Sequence, residues 1–182
     1  VKFKWEVYVS FVGRGNLLNL FDVCGRERKV VSYDVFMKAM EAQKVEPEKG
    51  DLMFIYTGFA DVILECGKNP TREAMHNACA ALDGRDDKLL DWITDSGIAA
   101  LIADNYAVEQ APARPAPGKS YANSPLHQHC LFKLGVPLGE MWHLTELAHW
   151  LKANGRTRFF ATCQPIRLPG AVGSPANGVA IV

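Results

Sequence analysis

Asp51-Leu-Met-Phe-Ile-Tyr-Thr-Gly58 (DLMFIYTG) decides the fold class. Leu52 to Tyr56 are apolar without alternation, the pattern of a strand covered on both faces, and Thr57-Gly58 stops it. Upstream, Asn16-Leu-Leu-Asn-Leu-Phe-Asp-Val23 is a second compact apolar run and predicts another buried strand. Between them Ser32 is placed to cap a helix running to about Gln43, with Val35, Phe36, Ala39 and Met40 on one stripe. Glu46-Pro-Glu-Lys-Gly50 then breaks that helix. Downstream, Thr71 opens a predicted helix carrying Ala74, Met75, Ala78 and Leu82. Asp86 opens another carrying Leu89, Leu90 and Ile93, with Gly97 as its C-terminal cap. Ile98 to Ile102 reads as a third strand, ending on Asp104-Asn105. The order strand, helix, strand, helices, strand argues for an α/β fold with a three-layer core. The strands near 16–23, 51–56 and 98–102 then share one sheet with parallel pairings.

The stretch Ala111 to Pro125 carries four prolines (Pro112, Pro115, Pro117 and Pro125) and reads as an ordered loop or arm. After it, Thr145 to Asn154 predicts a helix with Leu147, Trp150 and Leu151 inward and Gly155 just past its end. Arg158–Thr162 and Val179–Val182 predict strands, and Trp142 and Phe159 are assigned to the core. With 182 residues, 48% apolar and 22% charged, the chain fits a single domain, residues 1–182. Twenty basic and twenty acidic side chains cancel, so there is no basic face for nucleic acid. No apolar run nears the roughly 20 residues of a spanning helix, so no membrane partner is expected. Five scattered cysteines without a Cys-x-x-Cys pair suit a reducing, cytoplasmic setting. The opening residue is Val1 and not Met, so a processed, trimmed or incomplete sequence is expected.

Chemistry concentrates in His127-Gln-His-Cys-Leu-Phe-Lys-Leu-Gly-Val-Pro-Leu-Gly-Glu140. Imidazole nitrogen and carboxylate oxygen together suit zinc, manganese or ferrous iron. If residues 127–129 are extended, His127 and His129 share a face. If they are helical, the two lie roughly 200° apart and only one can be a ligand. Pro125 favours extension just before it, whereas Cys130–Leu134 looks helical. His129 with Glu140 is therefore the expected pair, with His127 as a supporting or alternative ligand. Gly135-Val-Pro137 is the turn that swings Glu140 back. His76, His143 and His149 are read as surface or stacking residues, and Cys130 as a buried thiol.

Several segments, in order, resemble the C-terminal part of the metal-dependent cyclase family, which includes kynurenine formamidases (arylformamidases) and isatin hydrolase. They are Gly13-Arg-Gly15 with the strand after it, Gly50 to Phe59, Ala103-Asp-Asn-Tyr-Ala-Val-Glu109, the histidine–glutamate stretch, and Leu168 to Pro175. The resemblance covers roughly residues 12–182. It implies a swivelling β/β/α cyclase-like fold, a homodimer or higher homo-oligomer, and a divalent metal, Zn or Mn, completed by the histidine and Glu140. The family's signature, His-x-Gly-Thr-His-x-Asp, has no counterpart here, since no Gly-Thr dipeptide occurs and no histidine precedes His76. The remaining ligands and the catalytic acid/base are therefore expected on a segment before Val1. For the complete protein the resemblance implies hydrolysis of a small aromatic amide of the N-formylkynurenine type by a metal-activated water. A catalytically inactive relative kept for ligand binding or subunit assembly is the alternative.

Overall fold

The structure, a computed structural model, describes residues 10–118 and 121–182. Four strands run parallel: β1 (Phe11–Asn19), β3 (Leu52–Tyr56), β5 (Ala100–Ala103) and β6 (Leu138–Gly139). Two antiparallel strands, β7 (Arg158–Pro165) and β8 (Ala176–Ile181), extend the sheet beyond β1 in the order β6-β5-β3-β1-β7-β8. A separate parallel pair joins β2 (Lys29–Val31) to β4 (Ala80–Leu82). The three strands expected to share one sheet do so.

The unalternating runs are explained by cover on both faces. Leu18, Met53, Ile55, Leu101 and Ala103 face one core, closed by Phe36, Ala39 and Met40 of α2 (Tyr33–Gln43) and Leu89 and Ile93 of α5 (Asp87–Ser96). Leu17, Leu52, Phe54, Ala100 and Ile102 face the other, closed by Ala148 and Leu151 of α7 (Thr145–Ala153). Ser32 holds the N-cap position of α2 but makes no side-chain hydrogen bond there, and the Tyr33 amide donates to Asp86 instead (2.7 Å), whereas the punctuation of α5 works as its chemistry dictates. Asp86 accepts hydrogen bonds from the amides of Lys88 and Leu89, and Gly97 leaves α5 in the left-handed region at φ 63°.

Several boundaries differ from expectation. The first strand is Phe11–Asn19 and not 16–23, because Asn19 Oδ1 accepts from the Asp22 amide and starts the short helix α1 (Phe21–Cys24). The helix from Thr71 is only α4 (Arg72–His76), with Thr71 as its cap. Ala80–Leu82, read as its continuation, is strand β4, because parallel pairing to β2 buries all three residues and overrides alanine's helix preference. An unexpected helix, α3 (Phe59–Cys66), follows Gly58. Trp150 is 37% exposed, and Ala148 takes the inward position expected of it. Among the described residues no helix is long and apolar enough to cross a membrane.

Candidate metal centre

The loop after β5 and the residue after β6 both leave the C-terminal ends of parallel strands, the end at which open α/β sheets carry their sites. Asp104, fully buried, fixes the start of that loop. Its carboxylate accepts from the Thr57 amide (2.8 Å), Thr57 Oγ1 (2.6 Å), the Gly58 amide (2.7 Å) and the Phe59 amide (3.0 Å). Burial pushes the Asp104 carboxyl above its ordinary range, and these hydrogen bonds pull the other way. Asn105 continues the anchoring: Nδ2 donates to the Ala80 carbonyl (3.1 Å), and Oδ1 accepts from the Val108 amide (2.7 Å). The loop thereby delivers Glu109 to the interior, where it is 1% exposed.

Glu109 meets the start of α6 (Pro125–His127), a single turn that runs on as π-helix through Gln128–Leu134. Pro125 occupies the first helical position, where its missing N–H costs nothing. The next two amides are free to bond outward. Glu109 takes both, Leu126 N on Oε2 (3.0 Å) and His127 N on Oε1 (2.9 Å). Oε1 also lies 2.8 Å from His127 Nδ1, while His127 Nε2 lies 3.0 Å from Glu140 Oε1. A carboxylate can only accept, so each ring nitrogen carries a proton toward its partner in this state. The hydrogen bonds to Glu109 and Glu140 raise the His127 pKa to about 9 against the opposing effect of burial.

The structure thus brings His127, not His129, to Glu140. Helical backbone runs unbroken through 127–129, so the two imidazoles diverge as helical spacing requires. His129 turns to α5, with Nε2 2.8 Å from Thr94 Oγ1, and its pKa is lowered by burial and by Lys133. Pro125 opens the helix itself and restricts only the residue before it, so the spacing left open which of the two imidazoles faces Glu140, and the choice of His129 is the part that the structure does not follow.

His127 and Glu140 line a cleft of about 750 Å³ whose walls include Ile102, Leu131, Trp142 and Val172. Trp142 lies against Gly178 so closely that any Cβ there would overlap its ring. Phe159 is buried, as assigned. His143, 53% exposed on its side chain, reaches the cleft rim 3.9 Å from Asp61. His149 stands edge-on to Tyr56, and His76 lies 3.3 Å from the Tyr106 hydroxyl.

The donor chemistry of the pair fits part of a metal site. Two ligand atoms about 2.0–2.1 Å from one zinc ion in tetrahedral geometry are about 3.3 Å apart. Nε2 and Oε1, at 3.0 Å, need little movement to reach that separation. A metal would take the place of the Nε2 proton. Among the described residues no group of three or more His, Cys, Asp or Glu side chains is arranged to hold a metal ion, so the pair is two donors of a larger set or of none. Glu109 was within sight in the sequence only as part of the Ala103–Glu109 segment, and nothing local marks it as a partner of His127.

No protein-family model matches the sequence, and no curated protein matches it. Solved structures do. One described as a novel cyclase has a TM-score of 0.78 at 31% identity, covering 98% of this chain and 56% of that one. Isatin hydrolase A from Labrenzia aggregata bound to benzyl benzoate has a TM-score of 0.66 at 12% identity, covering 94% and 61%. An isatin hydrolase bound to the product analogue thioisatinate has a TM-score of 0.66 at 14% identity, covering 94% and 60%. The fold is cyclase-like, and the chain spans 56% to 61% of the length of these structures.

Proposed function

We propose that this chain is the C-terminal part of a metal-dependent hydrolase of the cyclase family, in which His127 and Glu140 are metal ligands. The convergence of His127 Nε2 and Glu140 Oε1 at 3.0 Å on the wall of the cleft carries this reading. The cyclase and isatin hydrolase structures support it at the level of fold. When bound, a divalent metal, Zn or Mn, lowers the pKa of a water and polarises a carbonyl. The chain's own residues supply the rest. Glu140 and the imidazole of His127 hold two positions, and the apolar walls around Ile102, Leu131 and Trp142 receive an aromatic ring. The substrate class is a small aromatic amide of the N-formylkynurenine type. Exposed apolar residues on β7 and β8, Phe160, Val179 and Ile181, offer a surface for assembly into a homodimer or larger oligomer.

Two donors leave coordination positions open, so the 182-residue chain alone binds Zn²⁺ or Mn²⁺ weakly and does not hydrolyse N-formylkynurenine at an enzymatic rate. Joined to a segment carrying His-x-Gly-Thr-His-x-Asp, it gains both together, and Glu140→Ala abolishes the gain. Metal-dependent turnover indifferent to Glu140→Ala would overturn the assignment. A second reading, a binding protein without catalysis, draws on the absence of a three-ligand set among the described residues. It predicts ligand binding in the cleft with no turnover when that segment is present.

A further inference from the structure

We propose that Glu109, seated against Gly84, is the positioning residue of this site, holding the His127 ring by Nδ1 so that Nε2 faces Glu140 and the cleft. The inference rests on the reading of His127 and Glu140 as ligands. Its geometric core stands independently. One oxygen, Oε1, accepts from both the backbone amide (2.9 Å) and the Nδ1 (2.8 Å) of the same histidine. Ring and backbone are tied to a single atom, which fixes the ring's orientation relative to its own helix. The other oxygen is held by the Leu126 amide at 3.0 Å, so the carboxylate cannot swivel away.

The carboxylate is also kept dry. Glu109 has no side-chain exposure, and a Cβ at Gly84 would overlap its Oε2 and lie 3.0 Å from Leu126 N. Glycine at 84 is therefore what lets the turn close over the carboxylate. That turn is clamped in place on both sides. Arg85 donates to the carbonyls of Arg114 (2.5 Å) and Ala122 (2.6 Å), and Arg114 donates to Asp83 (3.0 Å) and to the Arg85 carbonyl (2.9 Å). Arg114 and Ala122 are thereby tied to the turn that carries Gly84. A proton fixed on Nδ1 leaves Nε2 as the ligating nitrogen, the arrangement in which an outer carboxylate orients a metal-binding histidine.

The experiment uses the full 182-residue chain, ¹⁵N-labelled at histidine, with Co²⁺ as the metal probe. Metal-free wild type is expected to show a slowly exchanging Nδ1–H resonance for His127. Glu109→Gln, which keeps the side chain's size, is expected to lose that resonance and to weaken Co²⁺ binding by about 10- to 100-fold. Gly84→Ala alters no ligating group and is expected to do the same by displacing the carboxylate. Amide spectra and thermal unfolding of each variant separate loss of position from loss of fold. An Nδ1 proton in wild type that exchanges like a free imidazole's would overturn the proposal even if neither variant folds. So would a Glu109→Gln protein with both the resonance and wild-type affinity. If wild type takes up no Co²⁺ while Glu109→Gln still loses the resonance, the ligand reading fails and the positioning role stands.

Discussion

The metal-free protein should lose stability as pH rises from about 6.5 to about 9, because His127 is charged between two carboxylates only in the folded state. The histidine pKa moves from 6.5 to about 9 on folding. A raised folded-state pKa means that the folded chain binds more protons than the unfolded chain across this window. The contribution is fully present below 6.5, declines through the window and is gone above 9. Each pKa unit corresponds to about 1.4 kcal/mol, so the shift sets a ceiling of about 3 kcal/mol. Side-chain exposures of 29% for His127 and 36% for Glu140 leave room for solvent screening, which lowers the expectation. We expect about 2 kcal/mol. The assay is urea unfolding of wild type and His127→Gln at a series of pH values without metal. The stability difference between them should shrink by about 2 kcal/mol from pH ~6 to pH ~9.5. A difference that stays flat across that range would refute the reasoning, since the ion triad would then contribute nothing that depends on the ring's charge.

Three further outcomes follow from the same geometry. Zn²⁺ affinity should rise with pH up to about 9, because the metal must displace the ring proton, and calorimetry in buffers of different ionisation enthalpy should count about one proton released. Asp104→Ala removes the acceptor for three backbone amides and a hydroxyl, and should cost about 3–5 kcal/mol in chemical denaturation, with Asp104→Asn losing less. Gly178→Ala should push the Trp142 ring off its seat, cost about 1–3 kcal/mol and shift tryptophan fluorescence.

The features legible in the sequence were those set by local pattern. Leu52 to Tyr56 could only be a doubly covered strand, and Asp86 and Gly97 bracketed α5 because capping chemistry acts within a turn. Ala80–Leu82 reads as helix because its strand identity comes from pairing with Lys29–Val31, a partner too short to announce itself. The candidate site divides along the same line. Glu140 was legible from residue type and the turn before it. The choice between His127 and His129 turned on which face of the helix looks toward Glu140, and that face is set by Glu109 binding the first free amides from a distant loop. That loop is held in turn by Asn105, and the space for Glu109 is left by Gly84. Such three-body dependence has no period and no spacing to read.

The most direct test of the account is a crystal of the protein soaked in Mn²⁺ or Zn²⁺ and measured at the metal's absorption edge. The account predicts an anomalous peak about 2.0–2.3 Å from both His127 Nε2 and a Glu140 oxygen, with Nδ1 still on Glu109 and His129 still on Thr94. A peak on His129, or none between His127 and Glu140 at saturating metal, would contradict it.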